Sequence, residues 1–355
     1  MKTTKNILIA PLNWGLGHAT RCIPIIKALL AQDLNPIIAS DGSALELLKI
    51  EFPTLTFIVL PSYKIEYAKK GSFFKWKLIL NSHKIIRAIL SERLATNKII
   101  KTYKIQGIIS DNRLGVYSQK IPCVFITHQL NVLTGNTSWI TSWLHQQIIK
   151  RYTICWVPDY KGNDNLTGNL GHLKKPIQNV SYLGPISRFK KLDLEIKYDI
   201  MVILSGPEPQ RTLLEKKLIT ELTNYNGSIL FIKGEVNSQQ KISTEGFFTF
   251  YNFMNTEQLE IAFNTSKLII CRSGYTTIMD LAYLGKKAFF IPTPGQYEQE
   301  YLANKLNDER IIPYCLQDNF TLKKLENISN FKGFDLFKNE IDWKKHFEIF
   351  QQSPF

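Results

Sequence analysis

Cysteine is scarce in this chain, with five in 355 residues. Cys22, Cys123, Cys155, Cys271 and Cys315 form no C-x-x-C pair, are odd in number and sit mostly in apolar runs. That excludes a disulfide framework and a cysteine metal site, and it predicts buried free thiols of a cytoplasmic protein. Long hydrophobic runs are also missing. The longest stretch without a formal charge, Ile121 to Ile149, carries His128, Gln129, Asn131, Asn136, His145, Gln146 and Gln147, which hydrocarbon does not accept unpaired. No membrane span is expected. At the N-terminus the apolar run from Ile7 is broken by Pro11, Asn13 and Gly15, too early for a signal-peptide core. A first β-strand is the better expectation there. No D-x-D pair stands in a metal-binding context, and no nucleic-acid-binding motif is present.

Apolar residues are plentiful at 44%, enough to bury a core and to exclude disorder. Chains beyond about 250–300 residues usually divide that core between domains. The expected division is 1–186 and 187–355, with Trp343, Phe347 and Phe350 at the spacing of a terminal helix that packs back on the first domain. The net charge of +14 is lopsided: residues 1–190 hold 25 basic and 9 acidic side chains, and 191–355 hold 19 and 21.

Short apolar runs alternate with amphipathic segments throughout, the pattern of βα units on a parallel sheet. In the first half, strands are predicted at 6–12, 36–40, 55–60, 106–110, 122–127 and 154–158, and helices at 19–31, 43–50, 75–100 and 138–150. A polar, turn-rich stretch from Tyr160 to Asn179 closes that half. In the second, strands are predicted at 198–204, 228–232, 247–251, 267–271 and 288–292, with helices near 210–223, 256–264, 275–284 and 298–307. The fold class is α/β, two Rossmann-like domains in tandem, with a ligand expected at the carboxyl ends of their strands.

Three segments carry chemistry. Asn13-Trp14-Gly15-Leu16-Gly17-His18-Ala19-Thr20-Arg21 lies where a strand turns into a helix. Glycines there let backbone approach a ligand, the helix start favours negative charge, and His18 suits a general base toward a hydroxyl. A tight turn capped by His18 is the plainer alternative. Cys271-Arg272-Ser273-Gly274-Tyr275-Thr276-Thr277-Ile278-Met279-Asp280 repeats the strand–glycine–helix arrangement, with hydroxyls and amides suited to a diphosphate. Asp280, one turn in, is placed to accept from ribose hydroxyls or simply to balance the helix dipole. Pro292-Thr293-Pro294-Gly295-Gln296-Tyr297-Glu298-Gln299-Glu300 is a loop with polar groups suited to sugar hydroxyls.

In this order the segments resemble GT-B glycosyltransferases of the family 28 type, the group of the peptidoglycan enzyme that adds N-acetylglucosamine to lipid I, making lipid II, and of plant galactolipid synthases. The likeness is strongest across 265–304 and extends thinly over about 1–310. It implies two domains facing each other across a cleft, no cofactor beyond a nucleotide-sugar co-substrate that is UDP-linked, and no metal. It further implies His18 near the acceptor hydroxyl, Ser273, Gly274 and Thr277 at the donor diphosphate, and Asp280 at the ribose; the motifs themselves add Gly15 and Gly17 on the acceptor side and Thr276 at the diphosphate. Arg188 matches a phosphate-contacting arginine, and Arg272 is expected to stabilise the leaving charge. Gln299-Glu300 stands where the family often has two glutamines reading the donor sugar. His128-Gln129-Leu130-Asn131 resembles the acceptor-side H-E-Q-N, with His128 and Asn131 retained. Ser205-Gly206-Pro207-Glu208-Pro209 replaces a glycine- and serine-rich phosphate loop. Its two prolines remove amide donors, leaving Ser205, Gly206 and Glu208 as candidates.

The basic surplus concentrates between Leu60 and Ile105, where eleven Lys and Arg stand against Glu66 and Glu92. Phe73, Phe74, Trp76 and several Leu and Ile are interleaved, a pattern suited to an anionic membrane surface. A peripheral enzyme on the inner face of the plasma membrane with a lipid-linked or glycan acceptor is the resulting expectation; a solvated helix with buried aromatics is the alternative. Two rival functions remain. G-L-G-H-A-T-R-C also resembles the opening of the UDP-sugar hydrolase of the pseudaminic acid pathway, with water as acceptor. The basic half could instead bind nucleic acid, although glycine turns of this kind have no role there.

Overall fold

The computed structural model describes residues 4–63, 82–132, 138–235, 239–334 and 341–351. The backbone divides into two compact units. One comprises Met1–Asn165, Asn169–Arg188 and Glu340–Phe355; the other comprises Leu166–Gly168 and Phe189–Asn339.

In the first unit, apolar runs form β1 (Asn6–Pro11), β2 (Asn35–Ser40), β3 (Thr56–Val59), β4 (Ile105–Asp111), β5 (Cys123–Ile126), β6 (Ile154–Val157) and β7 (Val180–Tyr182). They build one parallel sheet in the order β3-β2-β1-β4-β5-β6-β7. The runs are continuous rather than alternating because both faces of a parallel sheet are covered. Ile7 and Ile9 of β1 join one core cluster, whereas Leu8 and Ala10 join the other. Helices α1 (Gly17–Leu30) and α2 (Gly42–Glu51) cover the first face; α3 (Ser82–Thr102) and α4 (Ser138–Ile149) cover the second. Strand order reverses between β1 and β4, so their carboxyl ends flank the crevice in which such sheets hold ligands.

The second unit contains β8 (Tyr198–Ile203), α5 (Gln210–Leu222), β9 (Ile229–Ile232), β10 (Ile242–Glu245), β11 (Phe248–Tyr251), α6 (Thr256–Asn264), β12 (Ser266–Cys271), α7 (Tyr275–Leu284), β13 (Lys287–Phe290) and α8 (Tyr297–Asp308). The sheet runs β10-β11-β9-β8-β12-β13, parallel except for the antiparallel β10–β11 pair. Its order reverses between β8 and β12. The two sheets make the α/β architecture of two Rossmann-like domains.

Helix α9 (Trp343–Gln351) belongs to the first unit. Phe347 and Phe350 are fully buried with Ile7 and Trp156, and Lys5 Nζ donates to the Phe350 carbonyl at 2.7 Å. Gly107 of β4 makes room for Phe350: an added Cβ would lie 2.4 Å from its ring.

Three local expectations shift. Helix α1 begins at Gly17 rather than 19, so His18 stands inside its first turn and makes no side-chain cap. The 75–100 helix is described from Ser82 to Thr102, and 75–81 lie outside the described residues. Strands β7 and β10 were not anticipated: Val180–Tyr182 is a three-residue, half-buried edge strand, and Ile242–Glu245 is exposed along its whole length and shows no apolar alternation. All five cysteines are buried and free.

Candidate active site

In the first unit the site forms at the β1–β4 switch. Gly15 has φ +76°, a left-handed turn that an L side chain enters only with strain, and it aims the chain from β1 into α1. One turn of α1 then brings His18, Arg21 and Cys22 onto Asp111, the last residue of β4. His18 Nδ1 lies 2.8 Å from Asp111 Oδ1. Arg21 Nε donates to Asp111 Oδ2 at 2.8 Å and its Nη2 donates to Oδ1. Cys22 Sγ is 3.8 Å from Oδ2, and Arg21 Nη1 is 3.4 Å from His128 Nδ1.

Asp111 is fully buried. Burial alone would raise its pKa, but Arg21 and His18 outweigh that and hold it at about 2. His18 Nδ1 also lies 2.9 Å from Arg21 Nη2, but that guanidinium nitrogen donates to Asp111 Oδ1. An Nδ1 lone pair facing an ionised carboxylate at 2.8 Å would be repelled. The carboxylate cannot donate, so this arrangement places the proton on Nδ1. Nε2 is left with the lone pair. Burial lowers the His18 pKa below 6.5, with Arg21 acting the same way and Asp111 opposing. The ring is therefore neutral at pH 7. Its side chain is 13% exposed, so the ring is not sealed from solvent.

The other acceptor-side candidates divide. His128 is buried beside Arg21 and joins this cluster. Asn131 does not join it: its Nδ2 donates to the Asn169 carbonyl at 2.6 Å and its N–H to the Leu170 carbonyl at 3.0 Å. Those bonds tie the β5 loop to residues 169–170, a structural task.

In the second unit the turns after β8 and β12 flank the β8–β12 switch. Gly274 is the N-cap residue of α7, with no side-chain cap and no acid in the first turn. The amides of Tyr275, Thr276 and Thr277 thus open the helix, with the hydroxyls of Thr276 and Thr277 half-buried. Ser273 Oγ donates to the Gln299 carbonyl at 2.8 Å, joining this turn to α8. Asp280 is buried one turn further along. Arg188 is half-buried in the first unit, at its boundary with the second.

Arg272 departs most from expectation. Its guanidinium is buried, and Nη1 donates to the carbonyls of Ile291 and Pro292, both at 3.0 Å. Nη2 donates to the Gln210 carbonyl at 3.0 Å and to Gln317 Oε1 at 2.7 Å. With its terminal nitrogens engaged, Arg272 braces the sheet end and cannot grip a phosphate directly. Burial lowers its pKa to about 10, so it remains charged at neutral pH. Among the described residues no carboxylate pairs with it.

Ser205, Gly206 and Glu208 lie in an exposed loop, with Gly206 at φ +101°. Glu208 pairs with Arg211 and accepts from the Thr212 N–H at 3.3 Å. It thereby occupies the α5 start that a phosphate would otherwise use. Gln299 and Glu300 brace the preceding loop: Gln299 Oε1 accepts from the Thr293 N–H at 2.8 Å, and Glu300 Oε1 from the Gly295 N–H at 3.0 Å.

Residues 209–330 match the model of the glycosyltransferase family 28 C-terminal domain. The chain is a GT-B glycosyltransferase carrying that domain. It is 24% identical over 310 residues to the UDP-N-acetylglucosamine–N-acetylmuramyl-(pentapeptide) pyrophosphoryl-undecaprenol N-acetylglucosamine transferase of Glaesserella parasuis, covering 84% of this chain and 81% of that protein. It is 22% identical over 344 residues to an uncharacterized glycosyltransferase of Methanosarcina acetivorans, covering 91% and 89%. Among solved structures it resembles MurG of Acinetobacter baumannii, with TM-score 0.56, 15% identity and coverage of 98% and 93%. It also resembles the spinosyn rhamnosyltransferase SpnG, with TM-score 0.63, 12% identity and coverage of 98% and 97%. At such identities the structural likeness speaks for the fold.

In this glycosyltransferase the residue that sequence reasoning missed is Asp111. Its signal was faint: an acid ending a buried strand, 93 residues from its histidine. Arg21 lay within the first motif but had no assigned role.

Proposed function

We propose that this glycosyltransferase transfers a sugar from a UDP-sugar to a hydroxyl of a lipid-linked acceptor, by a metal-independent displacement that inverts the anomeric centre. The buried Asp111–His18 pair carries the proposal. It supplies a neutral imidazole with a free Nε2 beside a glycine turn, the equipment for removing a proton from a hydroxyl at neutral pH. His18 takes the acceptor proton as that oxygen bonds to the anomeric carbon from the face opposite the leaving group. The bond from that carbon to the β-phosphate oxygen breaks, and UDP departs with the electron pair. The α7 N-terminus, with Ser273, Gly274, Thr276 and Thr277, receives the departing diphosphate through backbone amides, the two threonine hydroxyls and the helix dipole. Asp280 takes the ribose hydroxyls and Arg188 a phosphate oxygen. The UDP-linked donor and lipid-linked acceptor are carried from the names of the transferase relatives.

A peripheral position on the inner face of the plasma membrane accompanies this reading. Lys64 to Lys77 of the basic segment lie outside the described residues, but α3 exposes Ile86, Leu90 and Leu94 at one-turn spacing among exposed Arg87, Lys98 and Lys101. Its one acid, Glu92, is buried. On the same side of the sheet, α4 exposes Trp139, Ile140, Trp143 and Leu144 with no charged residue from Ser138 to Ile149. Basic and apolar groups without exposed acid suit an anionic interface.

The test is UDP release from a panel of UDP-sugars with and without a bacterial lipid extract. The proposal expects release that depends on the extract, lost in His18→Ala. Equal release without the extract would mean that water is the acceptor, and no UDP release under either condition would overturn the donor assignment.

A further inference from the structure

We propose that Arg113 is a positioning residue of this site: it binds the carboxyl ends of β1, β2 and β3 together with α3, holds the Asn13–Gly17 turn against Asp111, and so fixes which nitrogen of His18 carries the proton. The inference rests on His18 being the base.

Arg113 is fully buried. Its Nε donates to the carbonyl of Pro11, the last residue of β1, at 2.9 Å. Nη1 donates to Glu92 Oε1 on α3 at 2.8 Å and to the Pro61 carbonyl beyond β3 at 3.2 Å. Nη2 pairs with Asp41 Oδ1 just after β2. Asp41 reaches the catalytic turn through its other oxygen, which accepts from Asn13 Nδ2 at 3.3 Å. Asn13 Oδ1 in turn accepts from Ser43 Oγ at 3.1 Å and the Ala44 N–H at 3.3 Å, pinning the turn to the start of α2.

The link to Asp111 runs through the backbone. Asn112 has φ +57°, and this left-handed step lets consecutive side chains take different partners: Asp111 meets His18 and Arg21, and Arg113 meets Asp41 and Glu92. The Arg113 carbonyl is fixed by Ser110 Oγ at 2.7 Å and Tyr152 OH at 3.0 Å. Leu12 N donates to the Asp111 carbonyl at 2.9 Å, so the ends of β1 and β4 move together. Glu92 is itself fixed, its Oε2 accepting from Tyr63 OH at 2.5 Å and the Gly115 N–H at 3.0 Å.

A buried cluster of one cation and two carboxylates is a weak source of net stability, since desolvation offsets most of the attraction. A planar fork of five donors gives fixed geometry. Here that geometry is delivered to the end of β1, which leads through the glycine turn to His18, and to the end of β4, which carries Asp111.

The test needs no sugar substrate. The imidazole ¹⁵N shifts of selectively labelled protein report the tautomer and titration of His18, assigned with His18→Gln. Wild type should show the neutral Nδ1–H form near pH 7. Arg113→Lys keeps the charge but loses the fork. It should mix the tautomers and change the His18 proton-dissociation constant by about threefold or more, with the far-UV spectrum retained. A folded Arg113→Lys protein whose His18 shifts and titration match wild type overturns the proposal. If Arg113→Lys does not fold, Asp41→Asn, which removes one charged partner and keeps the volume, is judged by the same two outcomes. Retained transfer in His18→Ala would instead overturn the base assignment, whatever the spectra show.

Discussion

The substitution Asp111→Asn separates geometry from charge at the centre of the site. Asp111 is fully buried, and its pKa falls from 3.8 to about 2 on folding, a differential of about 2 kcal/mol at neutral pH. Because the folded pKa is depressed, that stability is present above pH 4 and disappears as pH falls toward 2. The amide removes this contribution and leaves Arg21, only 4% exposed, without its counter-charge, a loss of roughly 3–5 kcal/mol for a broken buried pair. The catalytic consequence follows from hydrogen-bond direction. An asparagine amide turned toward His18 donates to Nδ1, which transfers the ring proton to Nε2 and removes the lone pair that faces the acceptor. The expected loss of kcat is about 10²–10⁴-fold, the usual contribution of a general base, with KM for the donor little changed. UDP release measured on protein whose far-UV spectrum and melting curve show it folded would check this. A folded Asp111→Asn protein with kcat within threefold of wild type would refute the dyad.

Three further outcomes are expected. The rate should rise with pH through a midpoint below 6.5, because burial lowers the His18 pKa; a midpoint above 7 in a pH–rate profile would contradict a buried neutral base. Gly107→Ala should destabilise the protein by about 1–3 kcal/mol in urea unfolding, since its methyl would lie 2.4 Å from the Phe350 ring and 2.9 Å from Ile7 Cδ1, and Phe350→Leu should restore part of the loss. Trp139→Ser combined with Trp143→Ser should lower flotation with anionic liposomes several-fold, because both rings are more than half exposed; unchanged flotation would remove α4 from any lipid contact.

The two Rossmann-like domains were legible because a buried parallel sheet writes itself locally: four to six apolar residues, a glycine or acid, then a helix. The glycine-His turn was legible for the same reason, as everything that shapes Gly15 and His18 lies within a few residues. Asp111 was not, because its meaning depends on β4 being laid beside β1, and an acid after a strand reads as the start of a turn. The edge strand β10 escaped because it buries nothing. Gln299 and Glu300 look like free polar groups in the sequence, yet the loop ahead of α8 has amides at Thr293 and Gly295 that need acceptors, and these two side chains supply them.

Arg272 shows how a correct sense of charge can attach to the wrong atom. In the sequence an arginine before a glycine turn suggests a cation reaching a diphosphate; folded, its guanidinium is wrapped by carbonyls and cannot reach one. The electropositive character of the sheet end nevertheless persists, because no carboxylate among the described residues neutralises Arg272. The neighbouring helix starts differ in a telling way. At α5 the Glu208 carboxylate already accepts an amide, α6 is closed by the Asn255 capping box, and α8 carries Glu298 and Glu300 in its first turn. Of the four α-helix starts described in this unit, α7 alone has neither a side-chain cap, nor an acid in its first turn, nor a carboxylate from the preceding loop on its amides. An anionic ligand meets a carboxylate or a side-chain cap at the other three and neither of these here. The proposed diphosphate position is therefore the start of α7, its amides and the Thr276 and Thr277 hydroxyls, with the arginine setting the potential beneath them.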